Sequence, residues 1–425
     1  MSLPLPGARI VRTFGIGLTI QAILSVANFL AGLILLRRTS DLQYSYYILA
    51  SSALLLLTSL QTSFIQPHIV TSLTRMDAPA RRDLVGGLIR ANRLWIPVLC
   101  VAALLVTAAL WALHWLDGEQ TLLVAVSLLT ATILLGREFL RVTLFAYRQP
   151  LEVMQSDLVY VIAFVAGVFA ATLTAQPAAV AIAAAGLAAL LGRVILRRGL
   201  WRHEAWNTHA PREALQKIAA LGGWAITGAG IHWLLIQGYS YLVAGVLDIR
   251  QVAALAATRL TLAPVFVLSG GVSMLLFPMT SRWVHELGVG AAARRLTLLA
   301  ASLAGMALCY MLVMWLARDW IFVVVLKKQF AQRDLLLLLW SAVFLVTLCR
   351  DQLATLPASR EKFRDMTLLT GASALVWLVA SWIAIHRMGA PGAIVGILIG
   401  ELVNVAGIIG MILRETRQPA LTSTA

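Results

Sequence analysis

Charge is scarce in this sequence of 425 residues: Asp, Glu, Lys and Arg together make up 12%, and only 19 residues are acidic. With 60% hydrophobic residues and a mean hydropathy of +0.85, that scarcity excludes a soluble globular domain. It points to a chain whose solvent is largely lipid. Cysteine is scarcer still. Cys100, Cys309 and Cys349 are odd in number, far apart and set within apolar runs, which argues against a disulfide framework and reads as small buried hydrophobes. There is no Walker loop, so the chain does not energise itself with ATP. Paired-His motifs, carboxylate pairs and nucleophile signatures are also missing. No catalytic residue, metal site or cofactor is therefore assigned, and any active role is binding and conformational change.

What the sequence has in abundance is apolar runs. A membrane-spanning helix needs about 20 apolar residues, and twelve runs qualify: 13–36, 44–66, 94–114, 121–140, 156–175, 177–196, 219–246, 251–278, 296–316, 334–355, 366–386 and 391–413. The first is read as a span and not a cleavable signal, because its length suits a span and others follow at once. Gln176-Pro177 and Gly389-Ala390-Pro391 are tight turns, with Pro ready to start the next helix. The run Trp320–Leu326 is too short to span and reads as a helix lying on the outer surface.

Placing the N-terminus in the cytoplasm puts 25 of the 34 Lys and Arg residues on the inner side. This supports an N-in, C-in topology. The same asymmetry accounts for most of the formal net charge of +15 without a nucleic-acid partner, since basic loops lie where anionic headgroups attract them.

The first run is used twice. A shift of 213 positions carries Gly15 to Gly228, Gly17 to Gly230, Ala31-Gly32 to Ala244-Gly245, and Arg37 to Arg250. The same shift carries Arg137-Glu138 to Arg350-Asp351 and Leu140 to Leu353, and one position more carries Pro177 to Pro391 and Gly186 to Gly400. Two tandem copies of one membrane unit follow. The expected fold is all-α and polytopic, with about twelve spans in two parallel six-helix lobes. The lobes are 1–196 and 219–413, joined by a hydrophilic linker at 197–218 and followed by a cytoplasmic tail at 414–425.

Ionisable and amide side chains deep in spans are costly and normally face a bundle interior or a water-filled cavity. Arg259 lies in span eight, five residues before Pro264, which is expected to kink that helix. Glu401 is near the middle of span twelve, with Asn404 one turn on. His232 and Gln237 are in span seven, and Gln21 and Asn28 in span one. These seven are the candidates for a substrate cavity. For Arg259 and Glu401 the alternative is a buried structural ion pair, including one with each other; for His232 it is a satisfied imidazole between helices. Arg137, Arg141 and Arg350 lie near the inner ends of spans four and ten. They either snorkel to headgroups or form a cationic cytoplasmic entrance for a phosphorylated ligand. Gly392, Gly396 and Gly400 recur every four residues, a spacing that lets helices approach closely.

Twelve spans in two parallel lobes are common to the major facilitators and to the multidrug/oligosaccharidyl-lipid/polysaccharide (MOP) superfamily. The loop Thr71-Ser-Leu-Thr-Arg-Met-Asp-Ala-Pro-Ala-Arg-Arg does not match the basic turn usual in major facilitators. The opening Phe14-Gly-Ile-Gly-Leu-Thr-Ile-Gln21, then Asn28, resembles the first span of Wzx-type polysaccharide flippases of the MOP superfamily. The stretch Ala244-Gly-Val-Leu-Asp-Ile-Arg-Gln-Val-Ala through Arg259 to Leu276-Phe-Pro-Met-Thr-Ser-Arg is similar to that family's spans seven and eight. One departure is the small run Ala253-Ala-Leu-Ala-Ala, where the family usually has an aromatic. The resemblance implies a multi-pass protein of the bacterial inner membrane, monomeric, that flips undecaprenyl-diphosphate-linked oligosaccharide to the periplasmic leaflet. It also implies membrane lipids, glycosyltransferases and a polysaccharide polymerase as partners. A multidrug exporter of the same superfamily is the alternative, and a non-transporting scaffold of a polysaccharide-synthesis complex is a third reading.

Overall fold

The computed structural model describes residues 6–73, 76–203 and 212–417. Among them every regular element is helical. In chain order these are α1 (Pro6–Arg38), α2 (Asp41–Leu73), α3 (Ala78–Ala112), α4 (Gly118–Ala146), α5 (Pro150–Ala171), α6 (Pro177–His203) and α7 (Arg212–Val246). Then come α8 (Gln251–Thr261), α9 (Ala263–Leu316), α10 (Arg318–Trp320), a π-helical turn (Ile321–Leu326), α11 (Arg333–Ser359), α12 (Phe363–Met388) and α13 (Ala390–Arg417). Among the described residues nine helices are long and apolar enough to cross a membrane, and a tenth span is made if α8 and the start of α9 are taken together. The other two of the twelve expected runs are also helical, as α7 and α11. Trp320–Leu326 is a helical segment with Phe322 and Leu326 buried and Val323 and Val324 exposed.

The chain divides into two compact units, Met1–Trp233 and Leu234–Ala425. The division falls inside α7 and not in the linker expected at 197–218, part of which lies outside the described residues. In the first unit α4 packs on α2, α3 and α6, and α5 packs on α1 and α6. The alanine face of α6 (Ala178, Ala181, Ala185, Ala188 and Ala189, all buried) makes this close packing possible. One glutamine ties three helices together. The Gln43 amide donates to Glu119 at the start of α4, and its carbonyl accepts from the Ala178 backbone N–H at 3.0 Å. That N–H is a first-turn donor of α6 that no helical partner can satisfy.

In the second unit α11 packs on α8, α9 and α13, and α12 on α13. Two breaks shape it. Pro264, in the first turn of α9, cannot donate to the preceding helix; α8 ends at Thr261 and the chain bends by 58°. This is the kink the sequence announces. Further on, Gly288 takes φ 81°, a conformation L side chains rarely adopt, and turns the chain within α9. The α12–α13 contact is close. A Cβ on Gly392 would strike the backbone of Ala384, one on Gly396 would strike Ser381, and one on Gly400 would lie 2.7 Å from the Trp377 Cβ. The glycine repeat is thus a packing device.

Candidate functional site

Each unit carries a buried arginine–carboxylate network centred on the repeated Arg-acid pair. In the first, Arg137 and Arg141 sit one turn apart on α4, on the same face. Asp157, almost fully buried on α5, takes Arg137 on Oδ1 and the Arg141 Nε on Oδ2 at 3.0 Å. Glu138 accepts from Arg141 at 2.9 Å. The Arg137 guanidinium also lies 4.2 Å from the Tyr160 ring centroid, one turn after Asp157. Space for this comes from Gly192 on α6, where a Cβ would meet the Ser156 Oγ at 2.9 Å and the Arg137 Nε at 3.0 Å. Burying two charges requires partners of this quality, and here two cations share one carboxylate, with Glu138 supplying the second.

In the second unit the Arg350 Nη1 lies 2.6 Å from both oxygens of Glu401, while its Nε and Nη2 donate to Asp351 at 3.1 and 2.8 Å. Asn404 is buried one turn after Glu401 on α13. Nearby on α11, Gln352 donates to Ser273 at 3.0 Å and to Ser269 at 3.3 Å, and Thr355 meets Thr280 at 3.2 Å. These polar pairs join α11 to α9.

Arg259 has a different environment. It ends α8 at the bend, where a cation also suits the helix C-terminus. Its Nη1 lies 3.3 Å from the Gln237 Oε1 and from the Tyr239 hydroxyl, both on α7. The guanidinium carbon is 5.5 Å from the ring centroids of Tyr239 and Trp340, which pack edge to face. Among the described residues no carboxylate pairs with it. The pairing of Arg259 with Glu401, one of the alternatives left open by the sequence, is therefore corrected. Glu401 is held by Arg350, and Arg259 by neutral and aromatic groups.

Of the seven cavity candidates, the structure brings Arg259 to Gln237, and Glu401 beside Asn404. Gln21 and Asn28 are exposed on α1, seven residues apart and so on one face, and His232 is exposed on α7. Arg137, Arg141 and Arg350 are engaged with carboxylates inside their units. Asp157, Tyr239 and Trp340 were missed by the sequence. Asp157 stood at the edge of an assigned span, where an acid costs little, and the two aromatics carry no charge. The signal that could have found Asp157 is the need of two span arginines for an anion. Among the described residues no group of three or more His, Cys, Asp or Glu side chains is placed to hold a metal.

No family profile and no curated protein sequence matches the chain. Solved structures do. The inward-facing form of a multidrug resistance MATE family transporter of the MOP superfamily aligns with TM-score 0.76 at 13% identity, over 94% of this chain and 96% of that one. The lipid II flippase MurJ, in an inward closed conformation, aligns with TM-score 0.76 at 10% identity, over 93% and 87%. A MOP superfamily transporter from Pyrococcus furiosus, described by the reverse polarity of its binding pocket, aligns with TM-score 0.61 at 14% identity, over 96% and 95%. At these identities the likeness establishes the fold: it is that of MOP superfamily transporters.

Proposed function

We propose that this chain is a bacterial inner-membrane flippase for lipid-linked oligosaccharide, working by alternating access of two lobes. The observation that carries this reading is the charge left over after pairing. The buried carboxylates Asp157, Glu401 and Glu415 each face cations, Arg137 with Arg141, Arg350, and Arg360 with Lys362. Arg259, unlike Arg137, Arg141 and Arg350, has only neutral partners among the described residues. A guanidinium held by an amide, a hydroxyl and two rings keeps donors for an anion, and its planar fork suits phosphate oxygens. A diphosphate head bearing sugars cannot cross hydrocarbon unaided. A polar site of this kind would shelter it while the lipid tail stays in the bilayer. An exporter of organic cations, the competing reading, would want acids without partners.

Deleting the gene tests this directly. Lipid-linked oligosaccharide should accumulate on the cytoplasmic leaflet and surface polymer should be lost. Unchanged polymer with new sensitivity to cationic dyes would assign the chain to the multidrug exporters.

A further inference from the structure

The first unit contains a cavity of about 840 Å³ between α3, α4 and α6. Three arginines reach it: Arg93 from α3, and Arg193 and Arg197 from α6. Arg193 feels Arg93 and Arg197 as its charged neighbours, and among the described residues no carboxylate pairs with any of the three. The site is built to hold Arg193 in place. Gly136 on α4 leaves the room its guanidinium occupies, since a Cβ there would lie 2.8 Å from the guanidinium carbon. A further donor has no partner: the Asn92 Nδ2, on the cavity wall, is shut off from solvent and makes no hydrogen bond. Three like charges line one cavity, and such a group is stabilised by an anion that accepts several hydrogen bonds at once.

The surroundings say which anion. Leu94 and Val98 on α3, and Leu190 and Val194 on α6, are all exposed beside the arginines. In a membrane those faces meet acyl chains. Trp201, which also lines the cavity, is exposed, with Arg197 stacked 4.4 Å over its ring, an amphipathic pairing typical of the headgroup level. Cations at the headgroup level next to a lipid-facing apolar wall suit a phosphate joined to acyl chains. We infer that the α3–α4–α6 cavity binds the phosphate of an anionic phospholipid in the leaflet on the arginine-rich side, with Arg193 seated on Gly136 as its central donor. This site is separate from Arg259 and does not depend on what the protein transports.

The test uses purified full-length protein in a neutral detergent, with thermal midpoints recorded against added phosphatidylglycerol, phosphatidylcholine or inorganic phosphate. Phosphatidylglycerol should raise the wild-type midpoint and the other two should not. Arg193→Gln should weaken the apparent affinity for phosphatidylglycerol about tenfold. Gly136→Ala, which displaces only the flexible end of Arg193, should do the same and serves if Arg193→Gln folds poorly. Arg282→Gln, exposed on α9 of the second unit, should leave the response intact. An equal response to phosphatidylcholine, or an unaltered phosphatidylglycerol response in Gly136→Ala, overturns the site. A full response to inorganic phosphate alone overturns its assignment to lipid.

Discussion

Arg350 grips Glu401 across two helices, α11 and α13, with one guanidinium nitrogen 2.6 Å from both carboxylate oxygens. Its counterpart 213 residues earlier, Arg137, finds its acid on α5 at Asp157. The repeat has therefore kept the cation and its adjacent acid while moving the second carboxylate to a different helix of the bundle.

Removing one side of the Arg350–Glu401 pair should be costly. Arg350→Ala leaves Glu401 buried and charged without a partner, a loss of about 3–5 kcal/mol. Adding Glu401→Gln should recover part of it. Chemical denaturation or thermal melting of the two variants checks this, and a single variant as stable as wild type would show that water reaches the carboxylate.

Asp157 serves two arginines, so its loss should exceed the loss of either. Asp157→Asn should destabilise the first unit more than Arg141→Ala, because Arg137 then has no carboxylate while Arg141 still has Glu138. The comparison is a ranking of melting midpoints, and the reverse order would mean that Glu138 is the principal anion.

Arg259 should separate stability from transport. Its partners are an amide, a hydroxyl and two rings, so Arg259→Ala strands no buried charge. It also removes a residue that costs about 2.5–3.5 kcal/mol at a helix centre on insertion scales. The variant should melt near wild type yet export little polymer. Arg259→Lys retains the charge without the planar fork, and should fold normally and export poorly. Normal export by a well-folded Arg259→Ala would remove the residue from the mechanism.

The glycine stripe of α13 gives a packing prediction with an internal control. Gly396→Ala places a methyl against the Ser381 backbone of α12 and should cost about 1–3 kcal/mol or more. Gly410→Ala, on the same helix with nothing within 4 Å of the added Cβ, should be close to neutral. Equal effects would show that helix propensity, not interhelical contact, governs both sites.

The sequence by itself determined that this is a helical, multi-pass membrane protein, and leads one to expect two copies of one unit. Hydrocarbon accepts only segments whose backbone is satisfied internally and whose side chains are apolar, so spans show as runs. Pro264 marks the bend because its missing donor acts locally, and Gly392, Gly396 and Gly400 mark a close contact because helical spacing alone puts them on one stripe. Orientation is likewise expected from where Lys and Arg collect along the chain. What only the tertiary structure decided is which charge meets which. Glu401 lies 51 residues from Arg350, Asp157 lies 20 from Arg137, and both pairings depend on the rotation of one helix against another. That rotation is fixed by packing across the whole interface, through small residues such as Gly192 and the alanines of α6. Arg259 and Glu401, equally conspicuous in the sequence, were separated in the same way: Arg259 on α8 meets Gln237 and Tyr239 of α7, while α13 presents Glu401 to Arg350 on α11.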